Sequence, residues 1–121
     1  MKKYIPLHCH SMFSLLDGLS KPSQISERCQ EIGATACALT DHGNIAGAVK
    51  FYSEMKSKGI KPILGCEIYL CDKDPVIQDK TNKDLTHFLV LAKNFVINFP
   101  KLSLPQPPLV FNPRSLLLIA V

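Results

Sequence analysis

The first residues of this chain that could do chemistry are His8 and His10, which stand two positions apart behind a short apolar run. In a β-strand, side chains at i and i+2 point to the same face, so both imidazoles would reach one point. Imidazole nitrogens are common ligands of zinc-like metals, and Asp17, one short loop later, could add a carboxylate oxygen. A pair of surface histidines is the plain alternative. The spacing alone indicates half of a metal site.

Three more residues of ligand type lie further along the chain. His42 stands in the turn Thr40–Gly43, Glu67 lies late in an apolar segment, and His87 lies near the start of another. Each has an ordinary alternative: a neighbour of a helix cap, an edge-strand acid, or a half-buried strand histidine. Together the alternatives are hard to sustain, because all four histidines of the chain would have to meet at one rim by accident. Four imidazoles and two carboxylates at one rim suit two or three divalent cations, an arrangement that hydrolyses phosphate esters.

The elements that must position these residues alternate along the chain. Helical spacing of apolar residues predicts two helices that end at Gly33 and Gly59, the second capped by Asn44. Apolar runs predict four strands, over residues 4–10, 36–40, 61–70 and 86–92. The order β-α-β-α-β-loop-β, with helix-length crossovers, is typical of parallel strands with helices packed outside, in an open sheet or a barrel. Sites in such folds gather at the C-terminal ends of strands, where His87 fits less well than the other histidines.

The composition limits the classes of protein that this chain can be. Its 121 residues, 46% hydrophobic and 20% charged, are typical of one globular domain. A formal charge of +4 is too small to indicate nucleic-acid binding by itself. The five cysteines form no CxxC pair, which argues against a disulfide framework and a zinc knuckle. We find no secretory signal and no apolar run that could span a membrane, and we expect a cytoplasmic protein.

Four short motifs carry a resemblance to a known family: His8–His10, Asp17–Gly18, Thr40–Gly43 and Gly65–Glu67. They resemble the opening motifs of the polymerase and histidinol phosphatase (PHP) domain. The resemblance implies a distorted seven-stranded β/α barrel with a trinuclear metal centre and phosphoesterase chemistry. The predicted fold class is therefore α/β, the first part of a distorted TIM-like barrel that is incomplete at its C-terminus.

Longer blocks make the resemblance more specific, and it extends over residues 4–94. Phe13–Gly18, Gly47–Tyr52 and Gly59–Gly65 are similar to the PHP domains at the N-termini of bacterial DNA polymerase III alpha subunits. A histidinol phosphatase or a free-standing PHP phosphatase would share the metal motifs, but it would not share the second and third of these blocks.

The resemblance also implies a ligand set and no catalytic residue separate from it. Asp41 is expected to orient its neighbours. The implied cofactors are divalent ions such as zinc, manganese or iron. Further ligands of the family have no counterpart in this chain, so we expect one or two weakly bound ions at most, or none retained. Six residues match the family's metal-ligand positions: His8, His10, Asp17, His42, Glu67 and His87.

The resemblance stops abruptly after Asn94, which divides the chain into a PHP part, residues 1–94, and a tail, residues 95–121. The tail has no acidic residue and no glycine, and it carries five of the nine prolines. We interpret the tail as a frameshifted or disordered segment. A divergent but genuine C-terminus is the alternative.

For function, the resemblance implies the N-terminal PHP part of a replicative DNA polymerase III alpha subunit. The implied partners of the parent protein are DNA and other replicase subunits, with no membrane, and no partner is predicted for this chain by itself. The chain lacks the carboxylates that polymerise DNA, whereas a metal-dependent 3′–5′ exonuclease or phosphoesterase activity belongs to the PHP part. A free-standing PHP phosphoesterase and a non-catalytic remnant are the alternatives.

Overall fold

A computed structural model describes residues 4–71, 85–93 and 116–120. Neither of its helices, each 10 residues long, is long and apolar enough to cross a membrane. The described elements, in chain order, are α1 (Pro22–Glu31), β1 (Ala36–Leu39), α2 (Ala48–Ser57), β2 (Lys61–Cys71), β3 (Leu85–Ala92) and β4 (Leu116–Ala120).

The four strands form one sheet in the order β1-β2-β3-β4. β2 runs parallel to β1, as expected from the helical crossover between them, but β3 runs antiparallel to β2, and β4 antiparallel to β3. The prediction of parallel strands is therefore wrong for β3. An apolar run reveals a strand but not its direction, and the connection before β3 lacks the helical period that a parallel crossover needs. The antiparallel register pairs Tyr69 with His87, which brings the start of β3 to the C-terminal end of β2.

Residues 4–10, predicted as the first strand, are extended beside β1 but form no regular strand. The Ala38 N–H donates to the carbonyl oxygen of Pro6 (2.8 Å), and the Thr40 N–H donates to that of Cys9 (2.9 Å). The segment therefore advances three positions, from Pro6 to Cys9, while the neighbouring chain advances two, from Ala38 to Thr40, and a regular ladder needs equal steps. Proline also offers no N–H to a ladder. The prediction of a regular strand was wrong for these reasons, although the segment runs along the sheet in the expected place.

The hydrophobic core lies between the two helices and the sheet. Ile25 and Cys29 of α1 and Phe51 and Met55 of α2 are buried against it. These pairs lie four residues apart, which places each pair on one helical face. Both helices stop where the sequence predicts, because each is followed by a glycine in the left-handed region, with φ of +67° at Gly33 and Gly59 alike.

Asn44 does not cap α2, which was predicted to begin there. The helix starts at Ala48, and the Asn44 Oδ1 accepts a hydrogen bond from the N–H of Ala46 (3.0 Å) in the turn before it. Its Nδ2 donates to the carbonyl oxygens of Phe13 (3.1 Å) and His42 (2.9 Å). Asn44 therefore ties the loop after residue 10 to the turn that carries His42.

Most of the tail predicted for residues 95–121 falls outside the described residues. The exception is β4, which pairs with β3 from Ala92↔Leu116 to Phe88↔Ala120. The interpretation of the tail as a frameshifted or disordered segment stays a prediction, as does the division of the chain after Asn94.

We predict that Gly65→Ala destabilises the fold by about 1–3 kcal/mol, as overpacking of a core does. A Cβ at this position of β2 would lie 2.6 Å from the carbonyl oxygen of Val90 and 2.7 Å from a methyl group of Leu91. Urea unfolding measures the effect. Ser53→Ala, on the exposed side of α2, is the control and should leave the midpoint nearly unchanged. A Gly65→Ala protein as stable as the wild type would contradict the packing described for β2 and β3.

Candidate metal centre

The backbone sets His42 and Glu67 side by side at the end of the sheet. Beyond β1 the parallel pairing continues as a single bridge between these two residues. The Glu67 N–H donates to the carbonyl oxygen of Asp41 (3.0 Å), and the Gly43 N–H donates to that of Glu67 (2.8 Å). Two ligand-type side chains from segments far apart in sequence are thus held next to each other by main-chain hydrogen bonds.

Glu67 lies at the centre of the cluster, only 2% exposed. One oxygen, Oε2, lies 2.7 Å from His8 Nε2 and 3.1 Å from His10 Nε2. The other, Oε1, lies 2.7 Å from Nδ1 of His87. The two nitrogens of His8 and His10 are themselves 2.9 Å apart, which confirms the prediction that they reach one point.

A second group of donors forms around Asp17 at the mouth of the cluster. Its Oδ2 lies 3.0 Å from His42 Nε2 and 3.8 Å from His10 Nε2. Asp17 follows Leu16, which adopts a φ of 68° that is uncommon for a leucine. The left-handed residue turns the loop so that the aspartate returns to the histidines.

All six predicted site residues therefore converge, and they form three overlapping groups whose donor atoms lie within 4.8 Å of one another. For metal–ligand bonds of about 2.05 Å, donor atoms lie about 2.9 Å apart at a right angle and about 3.3 Å apart at the tetrahedral angle. The histidine–carboxylate pairs in closest contact, with separations of 2.7–3.8 Å, fall around these values. The residues therefore fit divalent ions in number, type and spacing. The groups are His8/His10/Glu67, His10/Asp17/His42 and His42/Glu67/His87.

Asp41 holds the loop of the site together and is not a member of any of these groups. It is 1% exposed, and its carboxylate accepts hydrogen bonds from the backbone N–H of Ser11 (2.6 Å) and from the hydroxyl groups of Ser11 (2.8 Å) and Ser14 (2.8 Å). Ser14 Oγ in turn lies 3.2 Å from His10 Nδ1 and accepts from the His42 N–H (3.1 Å). Asp41 thus orients its neighbours.

Sequence reasoning missed three contributors: Ser11, Ser14 and Tyr69. The serines carry no motif of their own, and only the buried aspartate reveals their role. Tyr69 could have been found, because it stands two residues after Glu67 in a strand and so shares its face. Its hydroxyl oxygen lies 3.0 Å from Nδ1 of His42.

The crowding of charged groups shifts two pKa values in the cluster. Burial lowers the pKa of His10, and the neighbouring His42 lowers it further. Burial by itself would raise the pKa of Glu67, but the hydrogen bond from His8 and the charges of the surrounding imidazoles lower it overall. Both shifts favour the forms that bind metal ions: a neutral imidazole and an ionised carboxylate.

A family model described as the PHP domain matches residues 6–98, which is most of the chain. The chain belongs to the PHP domain family. The predicted fold class, α/β and part of a TIM-like barrel, is confirmed by the alternating helices and strands of the described residues and by two solved structures of similar fold.

The curated relatives of this PHP chain include DNA polymerase III alpha subunits. That of Chlamydia pneumoniae is 46% identical over 96 residues, and that of Campylobacter jejuni is 44% identical over 94 residues. The matches cover 75% and 78% of this chain, respectively, but the chain spans about 8% of the length of each relative. The similarity is thus to the PHP region of these subunits, as predicted.

Two solved structures resemble this PHP chain. A candidate metal-dependent phosphoesterase from Bifidobacterium adolescentis has a TM-score of 0.60 and 27% identity, covering 74% of this chain and 28% of its own. An amidohydrolase from Chromobacterium violaceum has a TM-score of 0.57 and 25% identity, covering 72% and 27%.

We predict that Asp41→Asn destabilises the fold, whereas Asp17→Asn does not. Asp41→Asn turns a buried group that accepts hydrogen bonds from three donors partly into a donor, and it should cost about 1–3 kcal/mol of unfolding free energy. Asp17 has a side chain that is 54% exposed, so Asp17→Asn should leave the free energy of unfolding nearly unchanged. Urea unfolding of both variants compares the two costs. Equal losses in the two variants would contradict the structural role of Asp41.

We also predict that acid destabilises the metal-free chain in two steps. Lowered pKa values mean that the unfolded chain binds more protons in acid, so the free energy of unfolding falls as the pH falls. The His10 contribution is lost on acidification below its ordinary pKa of 6.5, and the Glu67 contribution below 4.5, as the pH passes through each folded value. Urea midpoints from pH 7 to pH 3 measure this loss. Glu67→Gln should remove the lower step, and an unchanged lower step would contradict the assignment.

Proposed function

We propose that this chain forms the N-terminal part of the PHP domain of a DNA polymerase III alpha subunit, and that its cluster binds divalent ions to hydrolyse phosphate esters. The observation that carries the proposal is the convergence of six ligand-type side chains, from four separate segments, around one buried carboxylate. The similarity to alpha subunits over most of the chain supports the polymerase context.

Glu67 can serve two ion positions at once, because its two oxygens face different histidines. Oε2 belongs with His8 and His10, and Oε1 with His87. Asp17 and His42 offer a third position, which would compete with the first for His10. Zinc, manganese or iron held there would activate a water molecule and neutralise charge on phosphate oxygens.

The cluster is open on the side where a phosphate ester could approach. The side chain of Glu67 is 3% exposed, whereas those of His8, His87 and Asp17 are 39%, 47% and 54% exposed. A ligand shell that is closed on one side and open on the other is typical of catalytic sites, because structural sites surround their ion completely. The exposed imidazoles and carboxylate are therefore the groups that would face the substrate.

The polymerase context suggests a phosphodiester of DNA as the substrate, cleaved from a 3′ end. In that context the partners are DNA and other replicase subunits, and the location is the bacterial cytoplasm. The PHP part would serve the replicase both as structural support and as a hydrolase.

A free-standing PHP phosphoesterase acting on a small phosphate ester is the second candidate. It is favoured by the resemblance to the Bifidobacterium adolescentis protein, which is described as a candidate metal-dependent phosphoesterase. The higher identity to alpha subunits favours the first candidate. A preference for short single-stranded DNA over small phosphate monoesters would support the first, and the reverse preference the second.

Hydrolysis assays with added Mn²⁺ or Zn²⁺ test the proposal, using p-nitrophenyl phosphate, its diester and a 3′-labelled oligonucleotide. We expect turnover that depends on the metal ion and falls by about 100-fold or more in Glu67→Gln, because loss of an outer-shell partner alone costs 10–100-fold. The matched control is Glu31→Gln, which removes an exposed carboxylate that pairs with Arg28 on the surface of α1.

Turnover in the wild type and in Glu31→Gln, but not in Glu67→Gln, would support the proposal. Equal turnover in all three proteins, or none with any substrate and ion, would contradict the hydrolytic role.

A further inference from the structure

Tyr69 touches the cluster without belonging to its ligand set. Its hydroxyl oxygen lies 3.0 Å from Nδ1 of His42, and the two rings are nearly parallel, with an interplanar angle of 11°. The Tyr69 ring also meets the His87 ring edge-on, with centroids 4.9 Å apart. These contacts place a phenol directly behind one face of the cluster, where it is 45% exposed.

The two ring nitrogens of His42 face different partners. Nε2 lies 3.0 Å from the Asp17 carboxylate, whereas Nδ1 lies 3.0 Å from the Tyr69 hydroxyl and 3.8 Å from Oε1 of Glu67. An ionised carboxylate only accepts hydrogen bonds, so the short contact to Asp17 requires a proton on Nε2. In a neutral ring, Nδ1 then carries the lone pair and accepts the hydrogen bond from Tyr69.

His42 is shared by two of the three donor groups, one with His10 and Asp17 and one with Glu67 and His87. A neutral imidazole binds an ion through one nitrogen and keeps a proton on the other. His42 can therefore serve only one of the two groups at a time. Ligation through Nε2 serves Asp17, and ligation through Nδ1 would serve Glu67 at the cost of the bond to Tyr69.

We propose that Tyr69 is a positioning residue that commits His42, through its Nε2, to an ion held with His10 and Asp17. This inference rests on the proposed metal binding. When Nε2 ligates, the His42 proton resides on Nδ1 and is donated to the Tyr69 oxygen. The Glu67 and His87 position is then left without an imidazole from His42, which makes it the weaker of the two.

A phenol suits this task because its hydroxyl group both donates and accepts. In the metal-free chain the Tyr69 hydroxyl group donates to Nδ1 of His42, and in the chain with bound metal it would accept from the same nitrogen. The distance between the two atoms need not change. Phenylalanine keeps the ring and its contacts to His87 and loses only this exchange, so Tyr69→Phe isolates the hydroxyl.

The experiment compares zinc binding and the His42 tautomer in the wild type, Tyr69→Phe and Tyr4→Phe. Tyr4→Phe is the matched control, since Tyr4 is 70% exposed at the far end of the His8 segment. Zinc affinity is measured by competition with a chromophoric chelator, and the ring protons of His42 by ¹⁵N-detected NMR before and after zinc. Urea unfolding verifies that each variant is folded.

We expect the zinc ion that His42 ligates to bind about 10-fold more weakly in Tyr69→Phe and unchanged in Tyr4→Phe. In the wild type, the His42 proton should move from Nε2 to Nδ1 when zinc is added. Equal affinities in all three folded proteins, or zinc bound through Nδ1 of His42, would overturn the assignment of Tyr69 alone. A wild type that binds no zinc would overturn the proposed metal centre together with it.

Discussion

The burial of the Glu67 carboxylate is the constraint on which this end of the molecule depends. An ionised carboxylate that is 2% exposed carries a large desolvation cost unless donors or cations surround it. Here the surrounding groups are imidazoles from three other segments, among them His8 and His87 at 2.7 Å. Each of these segments therefore helps to offset the desolvation cost of this carboxylate.

A second buried carboxylate, that of Asp41, fixes the loop that follows His10. Its oxygens accept hydrogen bonds from Ser11 and Ser14, and Ser14 in turn contacts the ring of His10 and the backbone N–H of His42. Two adjacent residues thus have different roles: Asp41 binds the loop that carries Ser11 and Ser14, whereas His42 belongs to the cluster of ligand-type side chains.

The ligand-type residues could be predicted from the sequence, because residue type and i, i+2 spacing identify His8 and His10 directly. The helices could be predicted as well, since their glycine stops and apolar stripes are local signals. The direction of β3 could not, because direction depends on where a connection leads. The antiparallel direction of β3 also explains why His87 stands at the start of its strand, because an antiparallel strand begins at the rim where its neighbour ends. The role of Tyr69 depends on a contact across the site, which no local pattern reports.

The central claim is that the cluster around Glu67 holds divalent ions, and elemental analysis tests it most directly. The chain is loaded with zinc or manganese, dialysed, and analysed beside a His8→Ala/His10→Ala variant. The account predicts about one or more ions per wild-type chain and fewer in the variant, because two of the three donor groups contain at least one of these histidines. Equal metal content in both proteins, or no metal in either, would contradict it.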